Sequence, residues 1–276
     1  MVGSTLHRGI QAMSNLDLKM QDAKALAAGY SRTFRMVEIA SIVAFWSLSF
    51  AIAYKLWPYA KSYGWLLLAA LSFGFILADF VGGLVHWMGD TWGSTEMPIL
   101  GKALIRPFRE HHVDEKAITR HDYIETNGSN CMVAVPVAAA VLFVPLDVEG
   151  WTAPALFLVA SLGSMIFWVM MTNQIHKWSH LDENKAPALL KLLQRLHLVL
   201  PPEHHKTHHT APFDTYYCIT TGWLNWPLAK LGFYRHLERL ITALTGLIPR
   251  KDDIGLDAAL KIAPAPAEKP PQKATT

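Results

Sequence analysis

Four long windows free of Asp, Glu, Lys and Arg limit the fold of this chain more than any other feature. Ile39 to Tyr54 is closed by Glu38 and Lys55, and Ser62 to Ala78 resumes beyond Asp79 as Phe80-Val-Gly-Gly-Leu-Val85. Thr126 to Leu146 and Gly150 to His176 follow. A helix needs about 20 mostly apolar residues to cross a bilayer core, so the windows predict an all-α, multi-pass transmembrane helical bundle of about four spans. Pro136 and Pro154 fall in or near the last two windows, where packing or a helix terminus can absorb them. Composition agrees: 17% of the residues are charged, against about a quarter in an ordinary globular domain. A net charge of +3 and two cysteines exclude a disordered chain, a basic nucleic-acid arm and a disulfide scaffold. Cys131 and Cys218 belong to no C-x-x-C pair, and Met1 to Arg35 has no apolar core of a signal peptide.

Lys and Arg set the orientation, because cytoplasmic loops carry the excess. Between the first two windows stand only Lys55 and Lys61, and between the last two stand Asp147 and Glu149. The N-terminal segment, the loop from His86 to Ser129 and everything after Asn173 are rich in Lys and Arg, so these three regions are expected to be cytoplasmic. The division is a cytoplasmic segment over 1–35, a membrane domain over 36–248 and a disordered Pro/Ala-rich tail over 249–276. Two stretches within the domain are amphipathic. From Ala188 to Leu200, leucines recur at helical spacing opposite Lys191, Gln194 and Arg195; Phe233 to Ile248 repeats the pattern opposite Arg235, Glu238 and Arg239. Such helices lie on a membrane surface or pack on a cytoplasmic domain, and both readings fit.

Of the 13 histidines, all but His7 and His236 lie between His86 and His209. His86 and Asp90 are four apart at the end of the second window, as are His176 and His180 at the end of the fourth, so each pair shares one helix face. His111 and His112 are adjacent, His121 follows, and Pro202-Glu-His-His-Lys-Thr-His-His209 adds His204, His205, His208 and His209. Imidazole suits iron, zinc, copper and nickel. One ion takes about six ligands at most, so this many donors implies two ions, or one ion with bystanders. His197 reads equally as an interfacial residue on its amphipathic stretch. Asp79, an intramembrane carboxylate on the face of His86, is expected to accept an imidazole N–H, with Asn173 a weaker candidate for that role. Removal of hydrogen from an unactivated C–H bond is cofactor chemistry. Two irons fed with electrons and O2 beside a dry apolar slot for an alkyl or acyl chain would meet its requirements.

Five motifs carry a resemblance. Phe108-Arg-Glu-His-His112, Ile118-Thr-Arg-His-Asp-Tyr-Ile-Glu-Thr-Asn-Gly128, Asn173-Gln-Ile-His-Lys-Trp-Ser-His180, His204-His-Lys-Thr-His-His209 and Thr215-Tyr-Tyr-Cys-Ile-Thr-Thr-Gly-Trp-Leu-Asn225 closely resemble the plasmanylethanolamine desaturase family, the Kua or CarF-type lipid desaturases. The resemblance runs from the first window through Tyr234. It implies a membrane fatty-acid-desaturase-like fold with a cytoplasmic histidine-rich di-metal cap. The implied activity is O2-dependent conversion of the 1-O-alkyl ether of an ethanolamine phospholipid to the vinyl ether of a plasmalogen. Two iron ions and an external electron donor, cytochrome b5-like or ferredoxin-like, are implied as well. The matching positions give a metal set of His86, Asp90, His111, His112, His121, His176, His180, His204, His205, His208 and His209. A bacterial chain would place this in the inner membrane, an animal one in the endoplasmic reticulum. The competing readings are an acyl-lipid desaturase or hydroxylase with the same site, a haem cytochrome ligated by His86 and His176, and a non-enzymatic metal transporter or sensor.

Overall fold

The structure, a computed structural model, describes residues 31–98, 101 and 105–263. Most of the expected N-terminal segment and the end of the expected tail lie outside the described residues, which are helical and contain no strand. Four long helices dominate. Helix α1 spans Arg32–Leu56 and is followed by a 3-10 turn, Trp57–Tyr59. Helix α2 spans Ala60–Thr91, α5 Tyr123–Leu142 and α6 Thr152–Ser179. Two short helices, α3 (Arg106–Val113) and α4 (Ala117–Arg120), lie between α2 and α5. After α6 come α7 (Ala188–Arg195), α8 (Pro202–His208), α9 (Asn225–Lys230), α10 (Phe233–Thr245), α11 (Lys251–Ile254) and α12 (Leu256–Ile262).

Local chemistry sets the ends of these helices. The Ser31 hydroxyl accepts from the Phe34 amide at 3.1 Å, capping α1, and Asp122 caps α5 by accepting from the amides of Ile124 and Glu125, both at 3.0 Å. Pro58 stands in the turn that ends α1, because it has no N–H to continue the ladder. Pro154 falls in the first turn of α6, where no N–H is needed, and Pro136 is accommodated inside α5.

Side-chain bonds fix the arrangement of the long helices. Ser164 donates to the Leu71 carbonyl at 2.7 Å, and a Cβ on Gly74 would stand 2.2 Å from the Ser161 carbonyl, a very close approach. Contacts of Gly74 with Ser161, Gly82 with Thr172 and His86 with His176 advance together, so α2 and α6 run parallel. Asn130 donates to the carbonyls of Val169 and Met170 and to the Thr172 hydroxyl, and Asn127 bonds Gln174; α5 is therefore antiparallel to α6. Arg35 pairs with Asp122 at one end of α1, and Lys55 bonds the Leu142 carbonyl at the other, which makes α1 parallel to α5. The order across the bundle is α1, α5, α6, α2. The C-termini of α2 and α6 and the N-termini of α1 and α5 share one end. Phe45, Ala70, Ala138, Leu156, Val159 and Met170 fill the interior. Cys131 and Cys218 are buried and unpaired.

The stretches Arg32–Thr91 and Thr152–Ser179 are long and apolar enough to cross a membrane; the first comprises α1, the turn and α2. Tyr54, Trp65 and Phe143 project outward at 82%, 85% and 85% exposure, an apolar girdle unlike a water-facing surface.

Two expectations are corrected. The amphipathic stretch expected to reach Leu200 ends as helix α7 at Arg195, because His197 takes a left-handed φ of 54°. The tail expected to be disordered from 249 is helical as far as Ile262. Arg250 fastens it: the amide bonds the Thr91 carbonyl at 2.7 Å, and the fully buried guanidinium bonds Glu238 of α10 and the Tyr217 hydroxyl.

Candidate metal centre

At the shared end of the bundle the histidines form two adjoining groups. The first contains His111 from α3, His176 and His180 from the end of α6, and His205 and His209 from α8 and its C-cap, with one ligand atom of each within 4.8 Å of all the others. The Nε2 atoms face one another. His176 stands 2.7 Å from His205, His111 is 2.9 Å from His209 and 3.0 Å from His180, and His209 is 2.9 Å from His205. Metal–imidazole bonds of about 2.1 Å at right angles would separate neighbouring donors by about 3.0 Å. The contacts match that spacing.

A neutral imidazole has one N–H and one lone pair. The Nδ1 atoms of His111, His205 and His209 are buried without a hydrogen-bond partner. Whichever nitrogen carries the proton, a buried ring nitrogen is left unsatisfied, at about 1–3 kcal/mol each. Each Nε2 offers either one N–H or one lone pair, so the four Nε2–Nε2 contacts cannot all be hydrogen bonds. A cation at their convergence would accept every Nε2 lone pair, with the protons on Nδ1. Burial, reinforced by the neighbouring imidazoles, holds the rings of His111 and His205 well below the usual histidine range, so they stay neutral and able to donate.

The second group is His86 and Asp90 on α2 with His208 on α8. Asp90 Oδ2 lies 3.2 Å from His86 Nε2 and 3.3 Å from His208 Nε2, and Asp90 Oδ1 lies 3.5 Å from His112 Nε2. Each of the three rings is held from behind. His86 Nδ1 meets the Tyr217 carbonyl at 3.0 Å, His208 Nδ1 the Thr215 carbonyl at 2.9 Å, and His112 Nδ1 the Asp253 carboxylate at 2.8 Å. A carbonyl can only accept, so His86 and His208 carry their proton on Nδ1 and aim the Nε2 lone pair at Asp90. Lone pairs aimed at a carboxylate repel it, and all these atoms are buried without another partner; a cation between them reverses the sign of the interaction. Against the pull of burial, Asp90 and Asp253 hold the His112 ring above its ordinary range, which marks this pocket as one that favours positive charge. The groups share a wall: the ring of His86 lies 5.6 Å from that of His176, and His208 lies 5.3 Å from His209.

The set anticipated from the sequence divides accordingly. His86, Asp90, His111, His112, His176, His180, His205, His208 and His209 come together. His121 stands apart, 3.6 Å from Glu125, and His204 packs its ring against His197 and Tyr216. Asp79 accepts no imidazole N–H. Its Oδ1 takes the amides of Thr220, Thr221 and Gly222 at 3.0, 2.8 and 3.1 Å, and its Oδ2 takes that of Leu224 at 3.3 Å. Asn173 likewise bonds the Thr126 carbonyl and Asn130, joining α6 to α5. The haem reading fails on direction, since His176 Nε2 aims at His205 while His86 Nε2 aims at Asp90.

The sequence reading missed Thr215, Tyr217 and Asp253. Two of them act through backbone carbonyls, which carry no side-chain signature, and Asp253 fell in the assumed tail. The one available signal was the charge run Arg250-Lys-Asp-Asp253 directly after an amphipathic helix.

Residues 75–252 match the lipid desaturase domain. The chain is 59% identical over 257 residues to plasmanylethanolamine desaturase of Myxococcus xanthus, covering 92% of this chain and 89% of that protein. It is 45% identical over 237 residues to plasmanylethanolamine desaturase 1 of Mus musculus, covering 84% and 86%. Chloroplastic fatty acid desaturase 4 of Arabidopsis thaliana is 29% identical over 64% of this chain and 52% of its own length. No solved structure matches. With most of the chain aligned to named desaturases and its histidines gathered into two donor groups, this protein belongs to the lipid desaturase family.

Proposed function

We propose that this enzyme is a plasmanylethanolamine desaturase, which introduces the vinyl-ether double bond into the 1-O-alkyl chain of an ether phospholipid. The observation that carries the reading is the pair of adjoining, buried imidazole groups at one end of an apolar bundle, in a chain 59% and 45% identical to proteins of that name. In this reading α1, α2, α5 and α6 span the membrane and the histidine end faces the cytoplasm. The Lys- and Arg-rich segments that flank that end support the orientation.

The donor chemistry fits two irons: the five imidazoles would hold one, and His86, Asp90, His208 and His112 would hold the other. Iron supplied with O2 and electrons provides the oxidising power that no side chain has. The 1-O-alkyl chain loses one hydrogen from each of its first two carbons, counted from the ether oxygen. O2 takes up these two hydrogens together with two electrons and two protons from outside, giving two waters. The protein's part is to fix ligand direction through the Nδ1 bonds, to exclude water by burying the donors, and to admit an alkyl chain along the apolar bundle. The electrons come from a separate donor protein, of cytochrome b5 or ferredoxin type.

Expression in a host that lacks plasmalogens, followed by lipid mass spectrometry, tests the reading. Vinyl-ether phospholipids should appear at the expense of alkyl-ether precursors, and His209→Ala should abolish them at unchanged protein level. New double bonds in acyl chains alone would favour the acyl-lipid activity named in the chloroplastic relative.

A further inference from the structure

We infer that Asp253 is a positioning residue for the second donor group, and that the segment 250–253 is the clasp that sets it in place. The inference rests on the two-metal reading above.

The second group is short of donors without His112, since His86, Asp90 and His208 offer three residues. His112 is adjacent to His111, which belongs to the other group, so the two rings must leave α3 in different directions. Two contacts turn His112. Phe213 stacks on one face, with centroids 4.3 Å apart and planes 11° from parallel, and Asp253 Oδ2 binds Nδ1 at 2.8 Å. Together they aim Nε2 at Asp90, 3.5 Å away. His86 and His208 are directed by backbone carbonyls, whereas the outer bond of His112 comes from a carboxylate, the stronger acceptor for an N–H that gains acidity on metal binding.

Asp253 is itself held. Arg109 Nε lies 3.4 Å from Asp252 and 4.0 Å from Asp253, while its Nη1 bonds the Gly89 carbonyl at 2.8 Å. Asp252 also accepts from the Thr95 amide at 3.3 Å. Two residues before Asp252, Arg250 is locked to Thr91, Glu238 and Tyr217. Arg250, Asp252 and Asp253 thus tie the end of α2, α3, α10 and the Tyr217 loop together around one ligand. Loss of a bond to the outer nitrogen of a ligating histidine typically weakens metal binding about 10–100-fold.

The test is anaerobic Fe2+ titration of the full-length protein in detergent, with thermal unfolding of each metal-free variant alongside. Wild type should take up two irons per chain. Asp253→Asn, which keeps the shape, should unfold near the wild-type temperature, bind one iron with wild-type affinity and the second about 10–100-fold more weakly; Asp253→Glu should recover part of the loss. Asp253→Ala should resemble Asp253→Asn, and if it does not fold, Asp253→Asn decides. Two irons bound by Asp253→Asn at wild-type affinity would overturn the inference, as would equal weakening of both irons. Fewer than two irons in the wild type would overturn the parent reading instead.

Discussion

The nitrogen that faces away from the other donors decides what an imidazole in this site can do. A backbone carbonyl behind His86 or His208 fixes the proton on Nδ1 and leaves the inner lone pair free. Rings of the five-histidine group have no such support at His111 or His205, and His209 Nδ1 has only the Glu115 carboxylate 3.5 Å away, so their order depends on what they bind. His205→Ala is expected to remove one iron and at least about 100-fold of activity while the chain still folds; His121→Ala, outside both groups, should retain both irons, as metal analysis of purified protein would show. Acidity acts on the same residues. In the folded state burial holds His111 and His205 below the ordinary value, so the unfolded chain gains protons first as pH falls through about 6.5. Their contribution is therefore present above that pH and is lost below it. Metal-free protein should unfold at progressively lower temperature, and metal-loaded protein should release iron, between about pH 6.5 and 5. A flat profile would contradict this. At this scale His-x-x-x-Asp, His-x-x-x-His and His-x-x-His-His were legible, because residues four apart on a helix share a face. The assignment of donors to groups was not, because His111 and His112 diverge only through contacts with Phe213 and Asp253, more than a hundred residues away in the chain.

Helices in this bundle are held by close approach and satisfied polar groups. Asn127, Asn130, Asn173 and Ser164 each bond across a helix pair. The uncharged windows announced the long helices, and their ends were legible where a cap or a proline stood. The role of Asp79 was legible only in part. A buried carboxylate in an apolar helix called for partners, and the partners are four amides of the 220–224 turn. That turn follows the loop whose Tyr217 and Thr215 carbonyls direct His86 and His208, so Asp79 positions the second group through the backbone. Asp79→Ala would strand these amides at a cost of about 3 kcal/mol or more. Thermal unfolding should fall by roughly 6–12 °C, and Asp79→Asn, which keeps one accepting oxygen, should fall less. Equal melting temperatures for all three proteins would contradict the assignment.

The whole molecule joins an apolar bundle to a polar cap through the C-termini of α2 and α6. Parallel packing of these helices, held close at Gly74 and Ser164, brings His86 and His176 to one level, so the meeting of the two donor groups is a consequence of the bundle's topology. The far end bears no histidine among the described residues, and the exposed aromatics Tyr54, Trp65 and Phe143 stand at that end. The four long helices were legible from the uncharged windows, because a long apolar run with helical spacing has few other ways to satisfy its backbone. The closing segment 250–262 was not, because its stability comes from one buried arginine, Arg250, and its partners. The most direct test of the account supplies purified, iron-loaded protein with a 1-O-alkyl ethanolamine phospholipid, O2 and a reducing system. Mass spectrometry should find a product two mass units lighter that yields an aldehyde on mild acid treatment, as a vinyl ether does, in wild type and not in His209→Ala. An unchanged ether lipid, with the enzyme iron-loaded and reduced, would contradict it.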